Sequence, residues 1–239
     1  RLYYWLCEVL FWQNRHEEQI ELAQYGLSLL GDETRSVEAA LMNQEIAVAY
    51  RARGESERFL EFTQRTAQFL ERLSYSEELR PAYDHVASMY AFEKKDVQEG
   101  MRWLRALEAR ATAHHDLRAL GQVYDYAGII LAATGDLERA VAEYERALDQ
   151  HEQIGDVKHT IDALNHLINV HLASGNLELA WRYTEHLYRL EADSDSTAAT
   201  ALPNWQFGRI SVAQGKPADA VEYLQSSPLP ETNVDDSSL

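Results

Sequence analysis

The chain has 239 residues, 46% of them apolar, with only 11 glycines and 5 prolines; this supports a packed interior and excludes a disordered or collagen-like polymer. Twenty-two basic residues against 39 acidic ones give a net charge of −17, which sets the chain against phosphate backbones and anionic bilayers and so argues against nucleic acid or membrane as a partner. No apolar run reaches the ~18 residues needed to cross a bilayer, and the single Cys7 precludes an internal disulfide or a cysteine zinc cluster and fits a reducing, cytoplasmic setting.

The predicted elements come in pairs. The chain opens without an initiator Met in an apolar-aromatic run (Leu2, Tyr3, Trp5, Leu6), the pattern of a piece excised from a longer helical protein. Tyr4, Phe11 and Trp12 form an aromatic group there that reads as a contact surface for a preceding unit. A helix-breaking step then falls at Asn14, and others follow about forty residues apart at Gly54, Lys94-Lys95, Gly135, Gly175 and Gly215. Each is followed by a short polar segment and a new amphipathic run. Fixed self-similarity of this length marks a repeat array in which each unit buries its apolar face against its neighbours. The breaks define an all-α domain over 1–226 with units 1–31, 32–74, 75–114, 115–155, 156–195 and 196–226. The third carries a one-residue insertion around Glu93 to Asp96. Residues 226–230, with two prolines, end helix formation, and 227–239 reads as a polar, acidic tail with no fold of its own.

Columns aligned on the breaks have consistent chemistry. Six residues after each break stand Ile20, Leu60, Met101, Val141, Trp181 and Val221; eight before stand Leu6, Ile46, Val86, Ala127, Leu167 and Phe207. The next residue is mostly small: Cys7, Ala47, Ala87, Gly128, Ile168, Gly208, which lets two helices approach closely. In the fourth unit Leu137, Val141, Tyr144 and Leu148 recur at helical spacing opposite a charged face. Gly135 is placed to supply a left-handed helix terminus and Asp136 to cap the next helix.

The fourth unit, with Tyr124, Ala127, Gly128, Leu131, Gly135-Asp136, Ala140, Tyr144, Ala147 and Leu148, resembles a tetratricopeptide repeat. Its units are about forty residues long, as in the long repeats of kinesin light chains, bacterial peptide receptors and the sensor regions of signalling ATPases. The family pattern is degenerate at Gln19, Phe59 and Gly100. The resemblance implies a right-handed α-α superhelix of about six helix-turn-helix repeats with an inner wall built from first helices. Its groove positions fall on Tyr4, Glu8, Phe11, Gln44, Val48, Arg51, Asp84, Ser88, Asp125, Ile129, Ala132, Asn165, Asn169, Leu172, Trp205 and Arg209. Asn165 and Asn169, four residues apart, project from one helical face. A carboxamide carries both donor and acceptor, which suits pairing with the backbone of an extended peptide. Trp205 and Arg209 share a face by the same spacing, and both residue types are enriched at binding hot spots.

Nothing in the sequence has the form of a catalytic or cofactor site. The carboxylates are scattered surface pairs, and no nucleophile elbow, phosphate loop or HExxH is present. His114 and His115 are adjacent and so face apart, while His159, His166 and His171 lack the i, i+4 spacing of a helical metal pair. The function expected is therefore a non-catalytic scaffold for a protein or peptide partner, with self-association through the end repeats as a further possibility. The alternative is a regulatory or sensor segment of a multidomain signalling ATPase, kinase or transcription regulator that binds a small effector.

Overall fold

The computed structural model describes residues 1–30, 36–192 and 201–226; the expected acidic tail lies outside the described residues. Twelve α-helices and no strand are found among those residues. They are α1 Leu2–Trp12, α2 His16–Leu30, α3 Val37–Ala52, α4 Ser56–Leu70, α5 Arg80–Ser88, α6 Val97–His114, α7 Leu117–Ala133, α8 Leu137–Ile154, α9 Val157–Ala173, α10 Leu177–Ala192, α11 Ala201–Ala213 and α12 Pro217–Gln225. None of the described helices is long and apolar enough to cross a membrane. The chain divides into two compact units, Arg1–Ile130 and Leu131–Leu239.

The forty-residue beat is written in the backbone. Asn14, Gly54, Lys95, Gly135, Gly175 and Gly215 all have positive φ, between 56° and 86°. Each ends a first helix in a left-handed residue, and the next amide closes the turn on a carbonyl of the last helical turn. These bonds are Arg15 N to Leu10 O at 2.9 Å, Glu55 N to Tyr50 O at 2.9 Å, Asp136 N to Leu131 O at 2.9 Å, Asn176 N to His171 O at 2.8 Å and Lys216 N to Ser211 O at 2.9 Å. This Schellman closure satisfies carbonyls that a helix end otherwise leaves unpaired. A second series joins one pair to the next through His115 and Gly155, again forty apart and left-handed. Asp96, Asp136 and Asp156 then cap α6, α8 and α9 with their side chains.

The extra residue of the third unit lies earlier than the sequence placed it. It is absorbed in a π-helical turn, Met89–Glu93, that continues α5. Lys94 N reaches back five residues to Met89 O at 3.0 Å, and Asp96 N reaches Tyr90 O at 2.8 Å. One widened turn keeps the apolar columns in phase on both sides of the insertion.

In the first unit the core gathers Cys7, Ile20, Ala23, Met42, Ile46, Ala47, Ala49, Phe59, Phe62 and Met89. Farther along, Tyr83, Leu104, Leu107 and Ile130 are fully buried. Asp116 ties successive pairs: it accepts from the Tyr75 hydroxyl, lies 3.4 Å from Arg80 Nη1, and caps α7 at Ala119 N. In the second unit Tyr144, Leu164, Leu167, Ile168 and Leu187 form the interior. Trp181, Phe207 and Tyr223 meet as an aromatic cluster, with Trp181 to Phe207 at 4.6 Å and Phe207 to Tyr223 at 5.2 Å between ring centroids.

Candidate functional site

In the second unit, α9 and α11 carry the four residues with the sharpest sequence signal, and the fold brings three of them into one network. Gln206 Nε2 donates to Asn165 Oδ1 at 3.1 Å. Arg209 Nη1 donates to Asn169 Oδ1 at 2.6 Å and to Gln206 Oε1 at 2.8 Å. The partners are 41 and 40 residues apart, so the bridges join equivalent faces of neighbouring repeats. Gln206 is buried, Asn165 and Arg209 are half-buried and Asn169 is exposed. The acceptor oxygens of both asparagines are thus engaged within the chain, which directs their recognition chemistry toward the amide donors. Trp205 does not share in the network and is 53% exposed. Leu172 is half-buried on the same helix as the asparagines.

Gln206 was not singled out from the sequence. It stands one position after the column of Asn165 and Trp205, beside His166 and Tyr126 in the repeat alignment. That column has no shared chemistry to mark it.

In the first unit the expected lining residues divide by burial. Gln44, Asp84 and Asp125 are buried, at 3%, 4% and 8% exposure. Ser88, Val48 and Ile129 are half-buried and Arg51 is exposed. The buried groups feel one another. Burial holds the Asp84 carboxyl well above the usual carboxylate range, with Arg80 opposing and Asp125 adding to the shift. Burial lowers His85 to about 4, assisted by Arg51. Tyr126 is pushed up to about 12 by burial and by Asp84 and Asp125. Gln44 Oε1 and Asp84 Oδ1 have no hydrogen-bond partner among the described residues. These side chains form a polar seam along α3, α5 and α7 with little surface to offer a ligand.

At the start of the unit, Tyr4 donates to Glu8 Oε1 at 3.2 Å. Behind it lies Glu45, 2% exposed, which accepts from Gln19 Nε2 at 2.9 Å. Burial first, and the charge of Glu8 second, raise the Glu45 carboxyl to about 8. Phe11 is half-buried, edge-on to Trp12 at 5.6 Å.

The structure also assembles a histidine group that the sequence reading passed over. His151, Asp156 and His159 offer ligand atoms within 4.8 Å of one another across the α8–α9 turn. Asp156 Oδ1 accepts from His159 N at 3.3 Å and lies 2.9 Å from His159 Nδ1. The two imidazoles stack at 5.1 Å and 24°. Asp156 thus caps the start of α9 with the two stacked imidazoles beside it.

Clefts on the described surface include two small ones. One of about 250 Å³ is lined by residues including Tyr4, Trp5, Glu78 and Arg80. The other, about 360 Å³, runs along α10 past Arg182, Tyr183 and His186. Both fall at or below the low end of the ~300–1,000 Å³ typical of small-molecule sites.

Helix pairs closed by left-handed turns at a forty-residue beat define a tetratricopeptide-type helical repeat scaffold. Solved structures of the same fold include BtubC (BKLC) from P. vanneervenii, at 12% identity over 88% of each chain with a TM-score of 0.71. PilW, a widely conserved type IV pilus biogenesis factor, matches at 15% identity over 93% of this chain and 89% of its own, with a TM-score of 0.68. A putative kinesin light chain from Podosopora anserina with nearly identical TPR-like repeats matches at 17% identity over 77% and 90%, with a TM-score of 0.62. At these identities the likeness is one of fold. No protein-family model matches the sequence, and no curated protein does.

Proposed function

We propose that this chain is a non-catalytic scaffold that holds an extended peptide segment of a partner protein along α9 and α11. The observation that carries the reading is the bridged array of Asn165, Gln206, Arg209 and Asn169 beside the exposed Trp205. Four polar side chains locked to one another lose little further freedom when a ligand arrives, which lowers the cost of binding. The asparagine amides offer donors to peptide carbonyls, and Trp205 offers an aromatic anchor. The repeat fold supports a protein-binding role. The buried free thiol Cys7 fits a cytoplasmic protein.

The test is selection of ligands from a library of extended peptides, followed by affinity measurement with Asn165→Ala, Asn169→Ala and Trp205→Ala. Each substitution is expected to weaken the best ligand by roughly tenfold, about 1.4 kcal/mol, with Trp205→Ala the most costly. Unchanged affinity in all three would place the peptide elsewhere and end this reading. A chain that selects no peptide but binds a small effector would favour the sensor alternative.

A further inference from the structure

The turn between α8 and α9 gathers His151, Asp156 and His159 from one short stretch of chain, and its backbone holds the three in place. Gly155 is left-handed, with φ of 68°, and Asp156 N closes the turn on His151 O at 2.9 Å. His159 N donates to Asp156 Oδ1 at 3.3 Å. Two backbone donors thus tie the trio together whatever else binds. His151 is fully buried, and the side chains of Asp156 and His159 are 13% and 28% exposed. Ligand atoms of all three lie within 4.8 Å of one another. His159 Nδ1 stands 2.9 Å from Asp156 Oδ1, yet it is buried without a hydrogen-bond partner among the described residues. The two atoms approach each other without a proton aligned between them.

We propose that His151, Asp156 and His159 bind one divalent transition-metal ion of the zinc type. Ligand atoms about 2.0–2.1 Å from a shared ion, at angles of about 90–110°, stand ~2.9–3.4 Å apart, and the centres of two imidazoles so held stand ~4.5–5.2 Å apart. The 2.9 Å between His159 and Asp156 and the 5.1 Å between the two rings fall within those ranges. Two imidazoles and a carboxylate suit zinc and its neighbours, whereas calcium and magnesium take oxygen donors. Asp156 can cap α9 and coordinate at once, because an ionised carboxylate offers about four lone-pair sites. Three protein ligands leave a fourth position for water or for a side chain of a bound protein. The ion clamps the last turn of α8 to the first turn of α9 and uses none of the residues of the Asn165–Arg209 network.

Calorimetric titration of the metal-stripped full chain with zinc sulfate, beside the variants Asp156→Asn and His159→Gln, tests the proposal. Asparagine keeps the α9 cap, and glutamine replaces a side chain that is partly exposed, so circular dichroism of the stripped proteins should show the helical fold unchanged. Wild type is expected to bind one zinc ion per chain, and each variant to bind it at least tenfold more weakly. Zinc should also raise the melting temperature of wild type and leave those of the variants nearly where they were. A wild type that takes up no zinc would overturn the proposal. So would an ion that both variants hold as tightly as wild type does.

Discussion

Arg209 on α11 donates its Nη1 to Asn169 Oδ1 on α9 at 2.6 Å, across an interval of 40 residues, and to Gln206 Oε1 at 2.8 Å. One guanidinium thus serves two amide acceptors, one of them on the buried Gln206. Arg209→Leu removes that donor and should destabilise the protein by about 1–2 kcal/mol in denaturant unfolding. A double-mutant cycle with Asn169→Ala should give a coupling of about 0.5 kcal/mol or more. Strict additivity would mean that the bridge does not form in solution.

Glu45 makes stability depend on pH in a definite direction. Its carboxyl stands at about 8 in the folded chain against 4.5 as its ordinary value. Between those values the folded protein keeps a proton that the unfolded chain has released. Stability is therefore fully present below the unfolded value and is lost as pH rises through about 8, at up to about 1.4 kcal/mol per pH unit. Glu45→Gln retains an acceptor for Gln19 and abolishes this titration. The variant should match wild type near pH 5 and unfold at higher temperature than wild type at pH 8–9; equal pH slopes for the two proteins would refute the assignment.

Two helical glycines separate close backbone approach from adjustable packing. A Cβ on Gly100 would lie 2.7 Å from the Ala87 carbonyl oxygen and 3.1 Å from Ala91 Cβ, so Gly100→Ala must push two helices apart. We expect a loss of about 1–3 kcal/mol despite the better helix propensity of alanine. A Cβ on Gly26 meets mainly the flexible end of Met42, at 3.1 Å, and Gly26→Ala should stay within about 0.5 kcal/mol of wild type. Thermal unfolding of the pair reads the difference; equal effects would contradict the contact geometry.

Lys95 holds a left-handed turn with φ of 57° where three later units use glycine. A side chain there costs about 1–2 kcal/mol, partly offset by the greater unfolded-state freedom of glycine. Lys95→Gly should stabilise the chain by about 0.5–1 kcal/mol in urea unfolding. A destabilised variant would show that the Lys95 side chain makes a compensating contact.

Most of the fold was legible because turn chemistry is local. A left-handed residue every forty positions announces itself as glycine at Gly135, Gly175 and Gly215. Asn14 and Lys95 were found by spacing where residue type gave little help. The insertion was counted correctly but placed around Glu93 to Asp96, because periodicity registers an added residue without saying which turn widens. The π-helical turn at Met89–Glu93 accommodates it before the break. Among the candidate site residues, Asn165, Asn169 and Arg209 were legible from their matching columns. Gln206 was not, since only the packing of α11 beside α9 gives it a partner. His159 was weighed as a metal ligand and set aside, but its pairing with His151 escaped notice for a similar reason: the two bracket a turn at a spacing of eight and meet only after it closes.

Helix, turn and repeat length therefore follow from the order of residues alone, since each depends on φ preferences, caps and apolar spacing within a few positions. Which polar side chains are exhausted on one another, and which face the outside, depends on neighbours a whole repeat away. Gln44, Asp84, Asp125 and Trp205 occupy the same place in the repeat, ten residues before the break. The first three are buried, while Trp205 stands exposed beside a bridged network. Only the packed chain separates them, because burial and hydrogen-bond partners are set by distances in space and not along the sequence.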